Sequence, residues 1–301
     1  MLRWGTNNFV AFACGKSVAV LENEHWSLVQ SIWGEGGMLT VLEWKPGESF
    51  EANQQSLLTG DTMGNVRVYD IISGSEIYHI PPLYPKAIVD VAWVTCSRRT
   101  MLLVLYQHGV LALFPYLTPS TEPLWRESLP EKTKSMSVSA DTQVAYIACE
   151  SDWIYVVSNV ANFPETSIQV ERKYRVGSGA KGSKDRASDL KKVMYWSHET
   201  DCLLLVFTKE ILFFDVLIHQ LSGHLSLDSN APQFVDAFVT SSHQHFYTLQ
   251  EDGAASCWYR SGQGQFKFSN IGRADISRLA HSNQDASHFT AALAVSPWSE
   301  S

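Results

Sequence analysis

Residues 56–80 read SLLTGDTMGNVRVYDIISGSEIYHI, and the order of residue types within them decides the fold. An apolar run ends at Gly60 and is followed by the turn Asp61-Thr62-Met63-Gly64-Asn65. The alternating run Val66-Arg67-Val68-Tyr69-Asp70 comes next, then a Ser-Gly break and a last run ending at Ile80. Period-two alternation with β-branched and aromatic residues, bounded by Gly, Asp and Asn, predicts strands joined by tight turns. With the preceding run MLTVLEW, which ends at Trp44, the segment predicts four consecutive antiparallel strands.

The same order recurs along the chain. AIVDVAW ends at Trp93, KKVMYW at Trp196, and QFVDAF at Phe238 with Phe in place of Trp. The intervals from Trp44 are 49, 103 and 42 residues, and the double interval contains a weaker copy beginning SMSVSAD at Ser135. Each copy continues with three more short runs, such as MLLVLY, VLALF and PLWRESL after Trp93. The stretch before Leu39 supplies FVAFACG, SVAVLE and SLVQSI after Arg3-Trp4-Gly5. ISRLAHS and FTAALAVS near the end read as the first two strands of one more copy. A four-stranded antiparallel unit repeating about every 40 to 45 residues predicts a β-propeller, because each sheet has two apolar faces and only the stacked ring covers them. Six units and a half unit predict an all-β ring of the seven-bladed type that is incomplete. The whole of 1–301 is then one propeller, expected to be a fragment of a longer protein. The segment GSGAKGSKDRASD at 177–189 interrupts the period and predicts a flexible loop between the fourth and fifth units.

Composition narrows the function classes. The 301 residues include 10 Trp, 11 Tyr and 14 Phe, with 45% hydrophobic and 18% charged residues, which excludes a disordered chain. A net charge of −8 disfavours an electrostatic grip on nucleic acid. Cys14, Cys96, Cys149, Cys202 and Cys257 are widely spaced and odd in number, so they predict neither a disulfide framework nor a zinc knuckle and fit a reducing, cytoplasmic compartment. The 22 residues from Thr100 to Thr121 lack Asp, Glu, Lys and Arg. Gln107-His108-Gly109 in their middle predicts two buried strands around a turn rather than a membrane span.

Candidate chemistry is sparse. Gly177-x-Gly179-x-x-Gly182 matches a dinucleotide fingerprint in letters but precedes SKDRASD and a strand, whereas the fingerprint must open a helix. His243-x-His245 has a metal-compatible spacing but no third ligand with a recurring position, the nearest candidates being His219, His224 and Cys257. No nucleophile elbow is present. No catalytic, metal or cofactor residue is therefore expected. The residues with positional meaning are blade residues: Trp44, Trp93 and Trp196 ending first strands, Asp61 opening a turn, and Asp70 and Asp215 ending third strands.

Val66-Arg67-Val68-Tyr69-Asp70 and Phe213-Phe214-Asp215 resemble the V-x-V-W-D ending of WD repeats, and Gly60 to Val68 resembles that family's G-x-x-D-G-x-V-x-V segment with Met63 at the turn Asp. A narrower resemblance rests on WG-x-x-x-x-V-A-F-A-C near Trp4, on Lys86 to Trp93, and on LLLVFTKEILFFDV at Leu203 to Val216. These strings resemble the first propeller of two-propeller vesicle-tethering scaffolds. That resemblance implies a non-enzymatic protein-interaction scaffold, cytoplasmic or peripheral at the trans-Golgi network, in membrane traffic. It also implies a partner from the "family with sequence similarity 91" group and Golgi-derived vesicle components. A ubiquitin-ligase substrate adaptor and a propeller enzyme remain the alternatives. Clustered acidic or His ligands in the central channel would favour the enzyme, and a helical docking segment before the first blade would favour the adaptor.

Overall fold

A computed structural model describes residues 1–5, 9–22, 25, 27–47, 55–151, 153–175, 190–197, 201–239, 245–261 and 267–275. All regular structure among them is strand, so no helix there is long and apolar enough to cross a membrane.

Six four-stranded antiparallel sheets follow one another, each built from consecutive strands in the order of the chain. Blade 1 is β1 (Leu2–Trp4), β2 (Phe9–Cys14), β3 (Ser17–Glu22) and β4 (Leu28–Trp33); blade 2 is β5 (Leu39–Trp44), β6 (Ser56–Asp61), β7 (Val66–Asp70) and β8 (Ser75–Ile80). Blade 3 is β9 (Ile88–Cys96), β10 (Arg99–Tyr106), β11 (Val110–Pro115) and β12 (Trp125–Ser128); blade 4 is β13 (Thr133–Val138), β14 (Val144–Cys149), β15 (Trp153–Ser158) and β16 (Gln169–Arg175). Blade 5 is β17 (Lys192–Ser197), β18 (Asp201–Val206), β19 (Glu210–Asp215) and β20 (Gln220–Ser226); blade 6 is β21 (Phe234–Val239), β22 (His245–Gln250), β23 (Ala254–Ser261) and β24 (Lys267–Asp275).

The propeller class and the four-stranded blade match the sequence reading. Among the described residues the blade count is corrected from seven to six, and no sheet there combines the first strands with the last. The count of seven rested on ISRLAHS and FTAALAVS, which lie outside the described residues, as does the 177–189 loop.

First strands of successive blades lie against one another around the centre. Five apolar clusters fill the five blade-to-blade interfaces. Alternation explains how one strand serves two of them. In β10, Leu102 and Val104 face blade 2 while Leu103 and Leu105 face blade 4, and all four are fully buried.

Turns between second and third strands, and the links from blade to blade, share one face of the disc, the upper face. Connections between first and second and between third and fourth strands share the lower face. On the upper face two glycines repeat one solution. Gly64 and Gly109 have φ of +93° and +94°, and a Cβ on either would stand 2.3 Å from a carbonyl oxygen of the following link, Tyr84 O or Glu131 O. Only a residue without a Cβ fits there without strain. Leu103→Ala is therefore expected to cost about 2–5 kcal/mol through cavity formation. Gly109→Ala is expected to cost about 1–3 kcal/mol through backbone strain. Both are read as shifts in the urea midpoint.

Candidate functional site

The centre of the ring is lined with charge. Arg3 Nε donates to Glu43 Oε1 at 2.8 Å, and Trp44 Nε1 donates to the Arg3 carbonyl at 3.2 Å, joining blades 1 and 2. Asp90 Oδ2 accepts from Met136 N at 3.1 Å, joining blades 3 and 4. Ser137 Oγ accepts from Tyr195 N at 2.8 Å, and Ser135 Oγ accepts from Val193 N at 3.3 Å, joining blades 4 and 5. Lys192 Nζ meets Asp236 Oδ1 at 2.8 Å and Ala237 O at 3.0 Å, joining blades 5 and 6. Inner strands in this way exchange polar bonds between sheets.

Within this ring Asp90 stands apart. Burial, reinforced by the nearby Glu43 charge, pushes its carboxyl up to about 6, against the opposing pull of the Met136 amide, Arg3 and Lys192. Arg3 is held further protonated, because the attraction and hydrogen bond of Glu43 outweigh the burial that would lower it. The channel thus offers one carboxyl that titrates near neutrality between paired charges. Among the described residues no three His, Cys, Asp or Glu side chains come together as a metal site. His243 lies outside the described residues, and His219 packs edge-on against Tyr174. Cys96 and Cys149 are buried thiols pushed up to about 11 and about 12, mainly by burial.

The lower face carries a concavity. A cavity of about 530 Å³ lies at the junction of blades 2 and 3, between Lys45 at the end of β5, Arg99 and Met101 of β10, Tyr116 and Leu117 after β11, and Leu124 before β12. Tyr116 floors it, edge-on to Trp93 at 4.9 Å and Tyr78 at 5.5 Å between ring centroids, with Lys45 Nζ 5.5 Å above the ring. Tyr78 Oη donates to Pro115 O at 2.6 Å and fixes the start of the loop. Leu117 and Leu124 stay exposed at the rim, and the same face bears exposed Ile72, Leu217 and Ile218.

Asp70 and Asp215 hold those apolar tips. Asp70 accepts from Ile72 N at 3.2 Å, Ser73 N at 3.3 Å, Ser73 Oγ at 2.7 Å and Gln55 N at 3.2 Å. Burial would raise its pKa, but the Ser73 hydroxyl and the backbone amides outweigh it and hold the carboxylate below its ordinary range. Asp215 Oδ1 accepts from Leu217 N at 2.9 Å and Ile218 N at 3.1 Å. On the upper face Asp61 accepts from Met63 N at 2.8 Å, Asn65 N at 3.0 Å, Asn65 Nδ2 at 2.8 Å and Gly37 N at 3.1 Å, tying its turn to the link from blade 1. Trp196 is buried against Phe213 and Phe246 between blades 5 and 6. The six residues singled out from sequence are thereby spread over several interfaces and turns; none of them lines the cavity, and Trp93 touches it only through its edge-on contact with Tyr116. The channel charges were not singled out. Their signal was present as single acids inside otherwise apolar runs, Glu43 in LEW, Asp90 in VDVAW and Asp236 in VDAF.

No protein-family profile matches the chain. It is similar to WD repeat-containing protein 11 of Mus musculus, 20% identical over 286 residues, and to that of Danio rerio, 18% identical over 288 residues. In each case the match covers 83% of this chain and 23% of the relative, so the chain spans about a quarter of the length of these curated relatives. In three dimensions it is similar to a chain in the crystal structure of the mitotic checkpoint complex, with a TM-score of 0.68, 13% identity, and coverage of 91% of this chain and 78% of that one. At that identity the structural likeness speaks for the fold alone.

A carboxyl with a raised pKa binds its proton more tightly in the folded than in the unfolded chain. The stability Asp90 lends is therefore complete at low pH and lost as pH rises from about 4 through about 6. Asp90→Asn is expected to be more stable than wild type by about 1–2 kcal/mol at pH 7.5, with the gap closing towards pH 4, in denaturant titrations at both pH values.

Proposed function

We propose that the chain is a non-enzymatic docking platform for other proteins, one propeller of a larger vesicle-tethering scaffold in membrane traffic. It works from the cytoplasmic side at the trans-Golgi network, with a partner from the "family with sequence similarity 91" group and Golgi-derived vesicle components. The observation that carries the docking role is the lower-face cavity with its exposed apolar rim. Tyr116 and Arg99 in the lining are of the residue types in which binding hot spots are enriched, and exposed Leu117 and Leu124 add an apolar rim that a partner can cover. The trafficking role is supported by the similarity to WD repeat-containing protein 11 and goes beyond docking as such. The channel supports the absence of turnover: Glu43 and Asp236 are engaged with Arg3 and Lys192, and Asp90 is engaged with a backbone amide.

The test is proximity labelling of the tagged full-length protein in cells, beside a Leu117→Asp, Leu124→Asp double variant. Both side chains are exposed, so the variant is expected to melt within about 0.5 kcal/mol of wild type. Golgi-vesicle proteins should be enriched with wild type and fall at least about fivefold with the variant, a loss of about 1 kcal/mol. A diffuse wild-type signal with no Golgi-associated partner defeats the trafficking reading, and unchanged labelling by the variant defeats the assignment to the lower face.

A further inference from the structure

The link from blade 2 to blade 3, residues 81–87, reads Pro-Pro-Leu-Tyr-Pro-Lys-Ala and crosses the upper face. Its three prolines have no backbone N–H to donate, which leaves much of its seating to side chains. Leu83 and Tyr84 pack against the apolar cluster shared by blades 2 and 3, and Gln107 N donates to Ala87 O at 2.9 Å. His108, in the turn between β10 and β11, completes the seat. Its ring lies edge-on to Tyr84 at 4.7 Å and to Tyr106 at 6.0 Å between centroids. The residue as a whole is half-buried, yet both imidazole nitrogens are closed to solvent and have no hydrogen-bond partner among the described residues. The turn is pinned from the other side, where Leu129 N donates to Gly109 O at 2.8 Å and Thr133 N to Gln107 O at 3.0 Å. The 81–87 link is thus the wall of this seat that can move.

A neutral imidazole tolerates the seat, whereas an imidazolium would bring a charge and two N–H donors with nothing to receive them. The charges around it add to that cost. Lys86 on the link repels a proton at His108, while Glu131 of the next link is engaged by Tyr155 Oη at 3.0 Å and Arg172 at 3.7 Å, and Lys132 by Glu150 at 3.8 Å. Burial first, and then Lys86, hold the His108 pKa below the ordinary imidazole value. We infer that the 81–87 link is a proton-released latch, which neutral His108 keeps seated and protonated His108 lifts from the upper face. Opening solvates the imidazole and bares Leu83, Tyr84 and the fully buried Tyr106 ring. The seated ring binds its proton more weakly than the open one. Closure is therefore fully favoured above about pH 6.5 and weakens as pH falls, by up to about tenfold per unit. Asp90 titrates in the same window with the opposite sign, since its raised pKa lends stability at low pH. A loosening confined to the link on acidification is thus distinct from any effect of Asp90.

The experiment is hydrogen exchange on the 301-residue chain between about pH 7.5 and about pH 5.5, corrected for the intrinsic pH dependence of exchange. The amides of Lys86 and Gln107 should lose protection by up to about tenfold per pH unit below about pH 6.5, while those of β7 hold theirs. His108→Phe keeps an aromatic ring and removes the titration, so it should abolish that pH dependence. A histidine NMR titration of wild type gives the second reading, with the His108 resonance assigned by its loss in His108→Phe or His108→Gln. It should titrate below the ordinary imidazole value. Link amides whose protection ignores pH in wild type, a pH dependence that survives in His108→Phe, or a His108 resonance that titrates at or above the ordinary value each overturns the proposal.

Discussion

Every blade of this protein has two apolar faces, and neither can be left to water. The constraint is visible in β10 and β11, where Met101 through Tyr106 and Val110 through Pro115 are buried without a break. Leu102, Val104 and Ala112 join the cluster shared with blade 2, and Leu103, Leu105, Leu111 and Leu113 the cluster shared with blade 4. A sheet with that pattern is stable only when sandwiched. Among the described residues the succession of blades sandwiches blades 2 to 5 between copies of the same solution. From this follow the unbroken apolar middle strands β10 and β11, with charge placed at inner strands, turns and outer edges.

Polar groups near the centre have a second task. Apolar faces are slippery with respect to one another, since burial has no direction, whereas hydrogen bonds fix register. The Arg3–Glu43 and Lys192–Asp236 pairs, the Asp90 bond to Met136 N and the Ser137 bond to Tyr195 N all cross from one inner strand to the next. They set blade 1 against blade 2 and join blades 3 to 6 in succession through their inner strands. Asp90 serves at a cost, because its charge is held beside Glu43 in a site that burial has made unfavourable for it.

Most of the strands were legible because alternation and turn chemistry agree locally. Val66–Asp70 shows both, and it forms β7 between two turns anchored by aspartates. The stretch from Thr100 to Thr121 was separable from a membrane span by His108-Gly109, and it forms β10 and β11 around that turn. The inner-strand charges were not legible as a group, since each sits alone in its run and only the ring brings them within reach of one another. The lower-face cavity was hidden for the same reason: Lys45 comes from the connection after β5 and Tyr116 and Leu124 from the connection between β11 and β12, and the two have no common motif. At Met63 the sequence departs from the repeat it resembles, and the structure shows how the turn survives. Asp61, two residues earlier, reaches Met63 N, Asn65 N and Gly37 N with one carboxylate.

The division between holding and presenting explains how such a disc can vary its binding surface without losing its fold. Asp70 and Asp215 bond to backbone amides, at Ile72 and Ser73 and at Leu217 and Ile218, not to the side chains those residues display. The bonds are indifferent to what the tip residue is, provided its amide is present. The exposed side chains of Ile72, Leu217 and Ile218 contribute little to blade packing, since they face water. Substituting them therefore changes what the lower face can bind while the carboxylates keep the turn shape, whereas substituting either aspartate alters the shape of the turn itself. Binding specificity and stability are in this way carried by neighbouring residues of the same turn, one through its side chain and the other through the backbone it captures.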